Sequence, residues 1–232
     1  MAKERDQEDI LLNPEEQVAM VRSRTEDFIN ANKGMVLGVG ALIFLLVAGY
    51  LYWTQMYMPS QEKAASGAMY QAEAAFGNGD WATALNGDGN EVTGFLDVIG
   101  SYSGSTKSVN LANYYAGISY LNQKNFQEAI DHLNSFSSSD LILASVAKGA
   151  MGDAYMELGE DDNAARYYEQ AAQMNPNDFS TPMYLVKAGM AREKQGNYAA
   201  AAKHYEKVTK NYASSAQYKD AAKLLAVAQS KL

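Results

Sequence analysis

Side chains able to carry acid–base, nucleophilic or metal chemistry are few in this 232-residue chain. With no cysteine, a disulfide, a thiolate zinc site, an iron–sulfur cluster and a thiol nucleophile are all excluded. The two histidines, His132 and His204, hold equivalent positions two helical repeats apart, on a face that the repeat pattern predicts to turn outward. That separation argues against a shared metal site. Asn86, Asp88, Asn90 and Asp97 have the spacing of calcium ligands at loop positions 1, 3, 5 and 12, but Glu91 stands where the sharp turn needs glycine. A polar turn is the better reading. No glycine-rich phosphate loop, nucleophile elbow or zinc-protease motif occurs. The expectation is a protein that is not an enzyme and that carries no metal or cofactor.

The elements around these residues follow from composition and pattern. The chain is 47% apolar and 20% charged, with 19 basic against 27 acidic side chains. This balance supports a packed core and argues against disorder or a collagen-like chain. The acidic total argues against nucleic acid as a partner, because phosphate binding needs clustered Lys and Arg.

From Met35 to Trp53 the chain reads MVLGVGALIFLLVAGYLYW, without a charge. At about 1.5 Å per helical residue this run approaches the roughly 30 Å of a bilayer's hydrocarbon core. Tyr50, Tyr52, Trp53 and Tyr57 gather at its far end, where amphipathic rings settle at a membrane interface. A long leader before the run and bulky rings after it argue for an uncleaved anchor over a signal peptide. Arg22, Arg24 and Lys33 precede the run and only Lys63 follows within a comparable distance, which predicts a cytoplasmic N-terminus. Gly34 and Gly38, four apart, would let another membrane helix approach closely. In the leader, Asn13 and Pro14 mark a helix start. Val18, Val21, Phe28 and Ile29 give that helix an imperfect apolar stripe, and Glu4, Asp6, Glu8 and Asp9 argue against tight binding to anionic lipid.

Beyond Pro59 the informative feature is repetition. Gly117, Tyr120, Ala129 and Leu133 recur as Gly152, Tyr155, Ala164 and Tyr168, then as Gly189, Arg192, Ala201 and Tyr205. Offsets within each set are 3, 12 and 16, and successive sets lie 35 and 37 residues apart. That is the period of the tetratricopeptide repeat, a helical hairpin of about 34 residues. The glycine admits close approach of the two helices, the alanine sits at their crossing, and the later aromatic is expected to fill the gap toward the next repeat. Ala72, Ala75, Gly79, Trp81 and Ala84 form a degenerate earlier copy whose additional residues are expected in a loop around NGDGNEV. Ser214 to Leu232 reads as a polar-backed cap helix. The fold class is therefore all-α: a cytoplasmic leader at 1–33, a transmembrane anchor at 34–58 and a repeat solenoid at 59–232. Within the solenoid, repeats fall near 64–105, 110–137, 145–176 and 182–212, followed by the cap at 214–232.

Such repeats bind through the concave wall made by their first helices. Here those positions are Tyr114, Ile118 and Leu121; Val146, Asp153 and Met156; and Met183, Val186 and Met190. The wall is mostly apolar, with methionines that adapt to varied surfaces. It lacks the Lys and Asn pattern of domains that clamp carboxylate tails, and so predicts a groove for apolar or amphipathic protein segments. Charge is uneven along the repeats: residues 61–180 carry 5 basic and 16 acidic side chains, residues 181–232 carry 9 and 3.

The acidic leader, the stretch RTEDFINANKGMVLGVGALI, the anchor ending YLYW and the following AASGAMYQAEAAF helix together resemble the bacterial YfgM-like ancillary subunit of the Sec translocon. The resemblance implies an inner-membrane protein with periplasmic repeats. Its implied partners are the translocon, a membrane-anchored chaperone of the prolyl-isomerase type, and newly translocated chains. The insertion after Ala84 and the tyrosine-rich repeats depart from that family's pattern. Another envelope machine serving cell division, outer-membrane assembly or protein secretion is the alternative setting.

Overall fold

The computed structural model describes residues 13–232; the leader acids Glu4, Asp6, Glu8 and Asp9 lie outside them. Two units divide between Tyr57 and Met58. All regular structure among the described residues is helical.

In the first unit, α1 runs Pro14–Ala31. It begins where a residue lacking an N–H costs nothing, since the first helical N–H groups have no partner within the helix. The Gln17 N–H closes the first turn on the Asn13 carbonyl at 3.0 Å. Val18, Val21, Phe28 and Ile29 are exposed. After Asn32, α2 spans Lys33–Tyr52 and has no buried residue. It belongs to the one helical stretch among the described residues that is long and apolar enough to cross a membrane. A π-helical turn, Trp53–Tyr57, follows. In it Trp53 stacks on Tyr57 with ring centroids 4.7 Å apart.

The second unit is built of helical pairs. α3 (Met58–Gly77) packs on α4 (Trp81–Asn86), then α5 (Phe95–Ser101) leads into α6 (Lys107–Asn122). The three regular pairs are α6 with α7 (Phe126–Ser135), α8 (Leu141–Glu157) with α9 (Asp161–Met174), and α10 (Ser180–Lys194) with α11 (Tyr198–Asn211). α12 (Tyr218–Gln229) packs on α11 as the cap. Ala129, Ala164 and Ala201 are fully buried, as expected of the crossing position.

Two expectations are amended. The aromatic at offset 16 does face the next repeat, where Lys187 lies over the Tyr168 ring at 5.5 Å, but it also fills the space over its own repeat's glycine. A Cβ on Gly152 would lie 2.6 Å from the Tyr168 ring, one on Gly117 would lie 2.6 Å from Leu133 Cγ, and one on Gly189 would strike the Tyr205 ring. The glycine is a slot for that side chain. Between repeats, Gly149 performs the same service for Tyr184 of the next pair. The second correction concerns the residues added to the first copy, which are not all loop. They include α5, whose Phe95 and Val98 are fully buried against Met69, Leu85 and Val109.

Candidate functional site

The predicted wall residues separate into three environments. Tyr114 and Ile118 are half-buried against the cluster of Ile130, Leu133 and Met151. Met183 and Val186 pack against the cluster that includes Tyr184, Leu185 and Ala188. Val146 and Met190 are exposed, at 37% and 46%. Leu121, Asp153 and Met156 come together in one cavity of about 510 Å³. Its remaining lining is Asn122, Lys124, Phe126, Glu157 and Tyr168. A second cavity of about 230 Å³, lined by Leu133, Phe136, Met151 and Met174 among others, includes no predicted wall residue.

The larger cavity is positioned by helix pairing. α6 ends at Asn122 and the chain turns through Lys124 into α7, bringing Leu121 and Phe126 to one side. α8 supplies Asp153, Met156 and Glu157 over its last two turns. From α9, Tyr168 lies in the slot over Gly152 and its hydroxyl donates to Asp153 Oδ1 at 2.6 Å. Lys187 of α10 donates to the same oxygen at 2.6 Å. Burial, then the hydrogen bond to Asp153, push the Tyr168 phenol far above its usual range. Burial together with the nearby Asp153 charge pushes Tyr184 up to about 12. Both phenols therefore stay neutral donors throughout the physiological range. The third repeat repeats the device, since Tyr205 donates to Glu193 at 3.0 Å.

Tyr168, Glu157 and Lys187 were not among the expected wall residues. For Lys187 the signal was available: it stands 34 residues after Asp153, one repeat period, so the two occupy adjacent first helices. Tyr168 was hidden because its offset named a packing role and gave no direction for its hydroxyl.

The histidines do not face solvent, which corrects the outward assignment. His132 Nδ1 lies 3.0 Å from Asn113 Oδ1, and its ring stacks on Tyr120 at 5.4 Å. His204 Nε2 lies 3.1 Å from Glu169 Oε1. The reason is positional: the residue three beyond the crossing alanine faces the last turns of its partner helix, where Tyr120, Tyr155 or Arg192 meets it. Tyr155 stacks on Tyr167 in the middle repeat. Arg192 binds Glu169 and Asp162 beside His204. Burial lowers both histidine pKa values; for His204 the Glu169 carboxylate pulls the other way without cancelling the shift.

Asp88 accepts the N–H groups of Asn90, Glu91 and Val92 on one oxygen, Oδ1, at 2.8–2.9 Å. The loop that resembled a calcium site thus uses its carboxylate to hold its own turn, and these bonds lower the Asp88 pKa. No group of three or more His, Asp or Glu able to hold a metal occurs among the described residues. Gly34 and Gly38 are exposed on α2, with nothing within 4 Å of an added Cβ.

Helical pairs in register, a cleft between successive first helices and polar groups held at fixed positions define a helical-repeat protein-interaction domain. The chain belongs to the family described as T7SS, ESX-1 secretion system protein EccA1, N-terminal domain, whose model matches residues 15–228. No curated protein matches the chain.

Proposed function

We propose that this protein is a non-catalytic, membrane-anchored scaffold whose repeat unit receives protein partners in the cleft between α6, α8 and α9. The observation that carries the reading is the coexistence in one chain of an apolar, unburied α2 and a half-apolar cleft bearing fixed polar groups. α2 is the anchor, the N-terminus is cytoplasmic and the repeats lie in the periplasm. The resemblance to the YfgM-like family makes the Sec translocon, a prolyl-isomerase-type chaperone and newly translocated chains the first partners to test. A second setting, a component of a dedicated protein-secretion machine, is favoured by the family match to a domain of a secretion-system protein.

Photocrosslinking from position 156 in intact cells separates these settings. Adducts with translocon subunits or translocating chains support the first, and adducts with a secretion apparatus support the second. Met156→Asp should remove the adducts formed from a second probe at Asn122, because an unpaired carboxylate is costly to desolvate against an apolar partner. Met156 is half-buried, so circular dichroism must first match wild type. A folded Met156→Asp protein that keeps every adduct would place the contact elsewhere, on α2 or on the ends of the repeat unit.

A further inference from the structure

We propose that the occupant of the α6–α8–α9 cleft is a protein segment in which apolar side chains alternate with Lys or Arg. The inference rests on the reading of this cleft as the partner site and names the chemistry it selects. Leu121, Phe126 and Met156 supply apolar contact, and the unbranched thioether of Met156 adapts to side chains of different shape. Asp153 and Glu157 stand one turn apart on α8, so their carboxylates share a face. Both bonds to Asp153 fall on Oδ1. Glu157 is exposed and has neither a hydrogen bond nor an ion pair among the described residues.

The cations around the cleft are differently placed. Lys187 is held by Asp153, Lys194 by Asp161, and Arg192 by Asp162 and Glu169. An acidic ligand would have to compete for Lys187 and strip Asp153 of its counter-charge. Lys124 is the one cation in the lining itself and has no ion pair among the described residues; Glu157 lines the same cavity. The surroundings decide between them: with 5 basic and 16 acidic side chains over residues 61–180, the field along this part of the chain attracts cations. A Lys or Arg following an apolar anchor finds Glu157 and the open side of Asp153. A Glu in its place meets like charge.

The test uses the full-length protein in neutral detergent micelles and three fluorescent peptides. All three share the same Leu and Phe positions, and differ only in carrying Lys, Gln or Glu between them. Anisotropy should rank them Lys, Gln, Glu, with roughly tenfold or more between the extremes at low salt and a smaller ratio at high salt. Glu157→Lys should erase or reverse the ranking without changing the melting temperature, since Glu157 has no partner to lose. Met156→Asp should weaken the Gln peptide as well. Binding of the Glu peptide as tight as that of the Lys peptide, or a ranking untouched by Glu157→Lys, overturns the cationic preference. If Met156→Asp still abolishes binding in that case, the cleft survives as the partner site. Absence of binding by all three peptides removes the cleft reading and the preference together.

Discussion

Gly152 shows how a single missing Cβ organises both the fold and the cleft. Its absence lets the Tyr168 ring lie flat between α8 and α9, and the ring's hydroxyl emerges beside Asp153. The ring cannot move aside cheaply, because its far end is bonded to a carboxylate that Lys187 also holds. Gly152→Ala should therefore destabilise the repeat unit by about 1–3 kcal/mol, the usual range for overpacking, and it should disturb the position of Asp153. A thermal melt checks the first effect; weaker binding at the cleft checks the second. Gly67→Ala is the control: it lies in mid-helix with nothing within 4 Å of the added methyl, so it should be neutral or stabilising by up to about 1 kcal/mol. At this scale the sequence carried the glycine and, at a constant offset of 16, a large side chain, Leu133, Tyr168 or Tyr205. It did not carry their mutual contact, because an offset fixes which turn a side chain leaves from, and the neighbouring helix fixes where it goes. The histidines were misread for the same reason.

Among the elements, the turn between paired helices is the most regular feature. Gly79, Lys124, Gly159 and Gly196 all have φ between 63° and 77°, and each stands five residues before its repeat's alanine. After each, an N–H reaches back five residues: Asp80 to Ala75, Asn125 to Tyr120, Glu160 to Tyr155 and Asn197 to Arg192, at 2.9–3.0 Å. This closure satisfies carbonyls that the first helix leaves without partners, and it requires a left-handed residue. Three copies meet that requirement with glycine; the first regular repeat uses Lys124. For a residue with a Cβ the left-handed conformation costs about 1–2 kcal/mol, against about 0.5–1 kcal/mol of extra chain entropy lost by glycine. Lys124→Gly should raise stability by up to about 1 kcal/mol, read as a higher midpoint in a denaturant titration; a lower midpoint would mean that Lys124 makes compensating contacts. The degenerate first copy was legible through this same turn, since Gly79, Trp81 and Ala84 keep its order. α5 was not legible, because FLDVIGS is too short to display a helical period and its apolar residues suit a loop packed on the core equally well.

At the scale of the whole molecule, the apolar helix α2 and the repeats announce themselves by composition and period, which are properties of long segments. The cleft does not. It is assembled from residues of α6, α7, α8 and α9, with Lys187 of α10 joining through Asp153, and it becomes visible only once their packing is fixed. Topology lies between these cases, because it depends on a count of cations flanking the apolar run. Arg22, Arg24 and Lys33, the first residue of α2, precede the apolar run, and Lys63 alone lies comparably near after it. The Arg22 guanidinium bonds Glu26 at 2.9 Å, yet both side chains are exposed, and acidic neighbours contribute little to orientation. The N-terminal side should therefore stay in the cytoplasm and Met58 onward should be translocated. The absence of native cysteine makes this directly measurable, since any single introduced thiol is the sole reactive site. Ser23→Cys and Ser66→Cys place that thiol on exposed positions before and after the apolar helix. In intact spheroplasts, a membrane-impermeant maleimide should label Ser66→Cys at once and Ser23→Cys only after lysis. The opposite order would place the repeats in the cytoplasm and deny the cleft any translocated partner.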